Sequence, residues 1–322
     1  MIYVNLYGRC GNQMFQYAMA RKLQITLDDL HPIRFRHFLH GNYGDYNLKE
    51  FKLTENVQQI ETEGSLINQF ASPMQAFFSK VFAGGGQFVR GHSSRQKRKD
   101  FEESLGKVLT PMGIYTTGCG NLPFSKKKHQ NYFLDGNFEN PLLFQDIRPQ
   151  LLEEFKYNGT IQKKNMEFHN KIQTTESVCI TIRRGNFFSE KYARERAICT
   201  EEYWNQALKK MHELKPDATY FVFSDEVDWV KEHYTFFPNT YFEIDGESNS
   251  VGEKIEMMRS CKHFIISNSS FSWWAQWLGE APDKIVIAPD RWLRTEDSFV
   301  YPLMDDSWIN IPVNLMDQKT EI

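Results

Sequence analysis

With 322 residues the chain is long enough for two α/β domains of ordinary size. A net charge of −3 excludes the broad basic character of a nucleic-acid-binding protein. Five scattered cysteines (Cys10, Cys119, Cys179, Cys199 and Cys261) include no C-x-x-C pair, which excludes a zinc knuckle and predicts reduced thiols.

Residues 2–6 read as a strand, with no charged and then apolar leader ahead of it, so no signal peptide is expected. Gly8-Arg-Cys-Gly11 reads as the following loop. A helix is expected next, because Phe15, Ala18, Met19 and Leu23 recur at helical spacing. The two glycines permit close backbone approach to a ligand but do not make a dinucleotide fingerprint. Residues 31–130 show weak periodicity and a triple glycine at Gly84–Gly86. Basic residues cluster at Arg90, Arg95, Lys97, Arg98 and Lys99, and again at Lys126–Lys128. These clusters fit a solvated face or a peripheral contact with anionic lipid or glycolipid. Tyr132–Gly136 reads as a strand ending in a turn, and 142–156 as a helix. A domain boundary is expected near 155–175, where Lys163, Lys164 and Asn165 cluster.

The second half is more regular. Strands are expected at Val178–Ile182, Tyr220–Phe223, His263–Ile266 and Lys284–Ala288, with helices at Glu201–Glu213, Glu226–His233 and Glu253–Cys261. That alternation predicts βαβ units and a doubly wound, Rossmann-like parallel sheet. No apolar run approaches the ~20 residues that span a bilayer. A cytoplasmic protein is expected, at most peripheral to the inner face of a membrane.

Each of these strands ends in polar residues, and convergence on one crevice explains that economically. Val178–Ile182 leads into Arg183 and Arg184, whose forked, permanent charges suit a diphosphate or, alternatively, nearby surface carboxylates. Tyr220–Phe223 delivers Ser224, Asp225 and Glu226. Asp225 could accept two hydrogen bonds from guanine or cap the next helix. His263–Ile266 delivers Ser267–Ser270 at the start of an apolar helix, where hydroxyls cap free amides and the amides attract phosphate. Trp273, Trp274 and Trp277 in that helix are expected to pack in the core. Lys284–Ala288 delivers Pro289 and Asp290. Neither a P-loop G-K-[ST] nor a D-x-D pattern occurs, so no metal or other cofactor is expected.

Two long motifs carry a family resemblance. Gly8-Arg-Cys-Gly-Asn-Gln-Met-Phe-Gln-Tyr-Ala18 and Ile266-Ser-Asn-Ser-Ser-Phe-Ser-Trp-Trp-Ala-Gln-Trp-Leu278 closely resemble the signatures of glycosyltransferase family 11, the α-1,2-fucosyltransferases, in its bacterial branch. Phe223-Ser-Asp225, Leu134-Asp-Gly136 and Ile285-Val-Ile-Ala-Pro289 fit in the same order. The resemblance implies an α/β fold of the GT-B type, two Rossmann-like domains facing an interdomain cleft. Residues 1–160 would form the acceptor-side domain and 161–322 the donor domain. It also implies GDP-β-L-fucose as donor and metal-free, inverting transfer to a galactose 2-hydroxyl of an oligosaccharide or lipid-linked glycan. On that basis Arg183 and Arg184 neutralise the diphosphate, and Asn12 reaches toward the fucosyl group. Gly11, Gln13, Thr181, Asp225, Glu226, Ser269, Ser270 and Phe271 line the donor cleft. Asp135 and Glu139 are the motif-linked candidates for a base. The family's H-x-R-R-x-D reads Thr181-Ile-Arg-Arg-Gly-Asn186 here, so a histidine becomes Thr181 and an aspartate becomes Asn186. Two rival expectations follow: transfer to another hydroxyl, and a catalytically silent GDP-sugar or glycan-binding module.

Overall fold

A computed structural model describes residues 1–28, 31–37, 45–61, 65–80, 94–189, 192–244, 249–294 and 299–314. Gly84–Gly86, Arg90 and the side chain of Asn186 lie outside this description. The chain divides into two compact units, Met1–Phe155 and Lys156–Ile322, each built on one wholly parallel sheet. No helix among the described residues is long and apolar enough to cross a bilayer.

The first unit runs β1 (Ile2–Leu6), α1 (Cys10–Thr26), β2 (Ile33–His37), β3 (Val57–Ile60), α2 (Leu66–Phe70), α3 (73–80), α4 (Arg95–Leu109), β4 (Ile114–Tyr115), β5 (Tyr132–Leu134) and α5 (Arg148–Glu154). Its strands order as β3-β2-β1-β5-β4, so the winding reverses between β1 and β5. Helix α1 buries the expected Phe15, Ala18, Met19 and Leu23, and Gln13 and Gln16 as well. Buried amides must be paired, and Gln16 both donates to and accepts from the backbone of Tyr7 at 3.2 Å, which holds the loop after β1.

Two expectations for this unit are corrected. The single helix over 142–156 is instead a pair of 3-10 turns, Pro141–Leu143 and Gln145–Ile147, followed by α5. Pro149 sits in the first turn of α5, where its missing amide is tolerated, and its ring prevents the helix from extending upstream. Within 31–130, strands and helices form where no pattern was legible. Helix α3 opens with a capping box: Ser72 Oγ accepts from Gln75 N at 3.3 Å, and Gln75 Oε1 accepts from Ser72 N at 3.0 Å.

The second unit contains α6 (Met166–Thr174), β6 (Ser177–Ile182), α7 (Ala193–Arg196), α8 (Glu201–Leu214), β7 (Thr219–Ser224), α9 (Val227–His233), β8 (Thr240–Phe242), α10 (Val251–Arg259), β9 (His263–Ile266), α11 (Ser270–Leu278), β10 (Val286–Pro289) and β11 (Ile309–Ile311). Strands β7 and β8 lie to one side of β6, and β9, β10 and β11 to the other, which is the doubly wound order. Val178, Ile180 and Ile182 alternate onto the face that packs Trp204, Ala207, Leu208 and Met211 of α8. Trp273 and Trp274 are buried, and Trp273 Nε1 donates to Leu303 O at 3.0 Å, so both serve packing as expected. None of the five cysteines forms a disulfide, and burial pushes the Cys119 and Cys199 thiols up to about 12.

The amino-terminal edge of the second sheet is closed by charge. Glu176, just before β6, accepts from His263 Nε2 at 2.9 Å, Lys262 Nζ at 2.8 Å and Lys215 Nζ at 2.9 Å. These donors, His263 first, hold its carboxyl well below the usual range. Glu176, His263 and Asp283 bring potential ligand atoms within 4.8 Å of one another. However, His263 Nδ1 accepts from Ile285 N at 3.1 Å, so Nε2 carries the proton given to Glu176 and has no lone pair for a cation. Lys215 Nζ also lies 2.8 Å from Asp283. The cluster is therefore a clasp between strand starts. Because the folded carboxyl is depressed, its stabilisation is complete above pH ~4.5 and is lost as pH falls toward the folded value. Thermal unfolding across a pH series is expected to show this acid limb. Glu176→Gln should flatten it and cost about 2 kcal/mol at neutral pH; an unchanged acid limb would remove Glu176 from that role.

Candidate active site

Parallel pairing places the ends of β9, β6 and β7 side by side at the carboxyl edge of the second sheet, with Ile182 opposite Ser224 and Thr181 opposite Ile266. The gap between β6 and β9 is the point where the winding reverses, the usual ligand position in such sheets. Arg183 and Arg184 leave β6 there. Arg183 Nη1 lies 2.6 Å from Asp225 Oδ2, and the amide of Arg184 donates to Asp225 Oδ1 at 2.9 Å. Arg184 Nε donates to Glu226 at 3.0 Å, and its guanidinium lies 3.1 Å from the Trp229 ring centre and 4.5 Å from that of Phe188. Nη1 of Arg184 is buried with no hydrogen-bond partner among the described residues, and a buried unmet donor costs about 1–3 kcal/mol. Gly185 allows this arrangement, since its φ is +25° and a Cβ there would overlap Asp225 Oδ2.

Several expected roles change. Both carboxylate oxygens of Asp225 hold the arginines, and Glu226, not Asp225, stands at the N-cap of α9. Ser269 occupies the N-cap of α11 without a side-chain hydrogen bond, so the hydroxyl capping expected there does not occur. Ser270 and Phe271 form the half-buried first turn of α11. Thr181 is buried in β6, its Oγ1 has no hydrogen-bond partner among the described residues, and its carbonyl accepts from Ser267 N at 3.2 Å. The fourth strand end stays apart: Asp290 lies beyond β9 and is held by Arg291 Nε at 3.0 Å.

The carboxyl edge of the first sheet repeats the pattern at its own reversal point. Asn12, in the first turn of α1 beyond β1, donates from Nδ2 to Glu139 Oε1 at 2.9 Å, beyond β5. Gly8, at φ +79°, keeps this turn tight, because a Cβ would lie 2.8 Å from Asn12 Cβ. Phe138, next to Glu139, is held at φ +54°, a left-handed conformation unusual for a bulky residue. Glu139 is buried, whereas Asp135 is exposed. Gln13 bonds Gly8 O, Asp45 O and Asn47 N, so it is scaffold, as is buried Gly11.

Two further residues at these edges carried no sequence signal. Arg196 ends α7 with an exposed side chain, 5.7 Å from the Phe187 ring centre, and Arg183 lies 5.8 Å from that same ring. Its carbonyl accepts from Asn268 Nδ2 at 3.0 Å, which ties α7 to the end of β9. Arg196 makes no ion pair among the described residues. His37 ends β2 beside Leu6, buried, and neither ring nitrogen has a hydrogen-bond partner among the described residues. Burial lowers its pKa, against the opposing pull of Asp45.

Residues 119–309, more than half of the chain, match the family described as Glycosyl transferase family 11. The chain belongs to that family. It is a glycosyltransferase. This family 11 enzyme is similar along its length to the O-antigen biosynthesis glycosyltransferase WbnK of Escherichia coli, at 26% identity over 96% of this chain and 100% of the relative. It is similar also to an alpha-1,2-colitosyltransferase of Escherichia coli, at 25% identity over 97% of this chain and 99% of the relative. Its fold is shared with the NodZ alpha-1,6-fucosyltransferase soaked with GDP-fucose, at a TM-score of 0.51 and 12% identity over 89% of this chain and 94% of that one. That fold is of the GT-B type.

Gly185→Ala should destabilise the chain by about 1–3 kcal/mol, through backbone strain and displacement of Asp225. Urea unfolding reads the loss, and full stability would show that the Asp225 carboxylate does not need this approach.

Proposed function

We propose that the enzyme transfers L-fucose from GDP-β-L-fucose, with inversion and without a metal ion, to the 2-hydroxyl of a galactose in a glycan acceptor. The observation that carries this reading is the pair of preset guanidinium groups at the reversal point of the second sheet, with Arg196, which makes no ion pair among the described residues, near them. Arg183 is offset by Asp225 and Arg184 by Glu226, so among the described residues the excess positive charge comes from Arg196. The unmet Nη1 of Arg184 and the first amides of α11 add donors for a diphosphate. Cations held rigidly where the departing GDP gains charge stabilise the transition state more than the ground state. Lys156–Ile322 is thus the donor unit and Met1–Phe155 the acceptor side. There Glu139, oriented by Asn12, takes the proton of the acceptor hydroxyl, and His37 is available to hydrogen-bond the sugar.

The colitosyl relative supports a second reading, in which the donor sugar is the 3-deoxy analogue of L-fucose. The O-antigen biosynthesis relative supports a glycan acceptor, which on this reading is lipid-linked. Incubation with GDP-fucose or GDP-colitose, galactose-terminated acceptors and EDTA, with linkage determined by NMR, separates these readings. GDP binding without transfer or donor hydrolysis would leave the silent module. Arg183→Ala is expected to lower kcat at least ~100-fold with its circular dichroism unchanged. Arg196→Ala should instead act mainly on donor KM, raising it about tenfold. Glu139→Gln should lower kcat by about 100-fold or more and leave donor KM near normal. A near-normal rate in the Arg183 variant would remove the arginines from the mechanism.

A further inference from the structure

Glu139 owes its place to a turn, and that turn is tied to a side chain far from any motif. The segments that follow β4 and β5 keep running side by side. Asp135 N donates to Tyr115 O at 3.0 Å, Phe138 N to Thr117 O at 3.3 Å and Glu139 N to Gly118 O at 2.9 Å. Asn140 Nδ2 adds a bond to Cys119 O at 3.2 Å. Gly136 permits the approach, because a Cβ there would overlap the backbone of Thr117. Residues 117–119 are therefore the support on which left-handed Phe138 and buried Glu139 rest.

That support is held in turn by α4. Glu102 Oε2 accepts from Thr117 Oγ1 and from Gly118 N, each at 2.8 Å. Thr117 is buried, and its hydroxyl also accepts from Gly120 N at 2.7 Å, which closes the loop on itself. The next residue of α4, Glu103, accepts from Asn121 N at 2.8 Å and pairs with Lys99 at 2.7 Å. Glu102 makes no ion pair among the described residues, so its charge is directed at one hydroxyl and one amide. Hydrogen bonds to a carboxylate are roughly twice as strong as those between neutral groups. The two carboxylates also stand close to one sulfur: after burial, it is Glu102 and then Glu139 that push the Cys119 thiol up.

We propose that Glu102 is a positioning residue for the acceptor-side base: through Thr117 and Gly118 it sets the backbone of Phe138–Asn140, and so the carboxylate of Glu139. The inference rests on the reading of Glu139 as base, and its test separates the two. Amide hydrogen exchange of segment 136–140 in the full chain, read by mass spectrometry, follows the support without any substrate. Glu102→Ala should speed that exchange about tenfold or more. Glu102→Gln should leave it near the parent, because an amide oxygen can accept the same two bonds. In transfer from GDP-fucose to a galactose-terminated acceptor, Glu102→Ala should lower kcat about tenfold or more with donor KM unchanged. A displacement of about 1 Å in a reacting group costs up to ~100-fold. Glu102→Gln should recover most of that rate, and Glu102→Ala added to Glu139→Gln should cost nothing further. Thr117→Val, which deletes the same bond from its other end, should repeat the Glu102→Ala result. Unchanged exchange in Glu102→Ala, or a Glu102→Gln variant as slow as Glu102→Ala (the outcome if Glu102 were itself the base), would overturn the proposal. A near-normal rate in Glu139→Gln would instead remove the base reading, and exchange would still decide whether Glu102 holds the turn.

Discussion

Adjacent guanidinium groups repel one another, and the second unit depends on how that repulsion is offset. Strand β7 runs parallel to β6 with Ile182 opposite Ser224, so the residues that follow each strand emerge side by side. Two carboxylates therefore meet two guanidinium groups, Asp225 with Arg183 and Glu226 with Arg184. Gly185 is required because Asp225 approaches the backbone where any side chain would stand. The ion pairs fix the orientation of the cations before any ligand arrives, which is what electrostatic preorganisation requires.

The two edges of the second sheet carry different groups, and parallel topology is the reason. In a parallel sheet every strand starts on one edge and ends on the other, so one edge can be sealed while the other stays open. The amino edge of the second sheet is sealed by Glu176 with its three donors. Among the described residues, Tyr220 and Thr240 leave hydroxyls unmet near the amino edge of the second sheet, while unmet polar atoms at the carboxyl edges are Arg184 Nη1 and Thr181 Oγ1 in one unit and both His37 nitrogens in the other. Strain collects there too, since Phe138 is held in a left-handed conformation beside Glu139. An open hollow of about 640 Å³ lies at the sealed edge, lined by Glu176, Arg259, Lys262, Glu280 and Asp283 among others. Its mixed, largely compensated charge suits solvent better than a diphosphate.

The fold was legible where burial is two-sided or periodic. Central strands β6, β7 and β9 read as apolar runs because helices cover both their faces. Helices α1 and α8 read from their spacing. Short edge strands did not: β3 is Val57-Gln-Gln-Ile60, polar at its centre because an edge needs little burial. Edge strands β8 and β11 escaped for the same reason, whereas interior β2, Ile33-Arg-Phe-Arg-His37, carries a charged residue at every second position. One signal was present and went unread. Ser72-Pro-Met-Gln75 is a capping box with proline at the first helical position, and it starts the helix that carries the exposed Met74 and Phe77.

From sequence alone came the residue types at the strand ends, the family motifs and the alternation that makes the second unit doubly wound. Those are local or periodic properties, carried by neighbours along the chain. Tertiary structure decided which groups meet. It turned Asp225 into a support for Arg183, buried Glu139 against Asn12 while leaving Asp135 exposed, and brought Arg196 near the Phe187 ring that Arg183 also approaches. The first two outcomes rest on contacts between residues tens to more than a hundred positions apart, whose distance and burial follow from strand order, which no local pattern encodes.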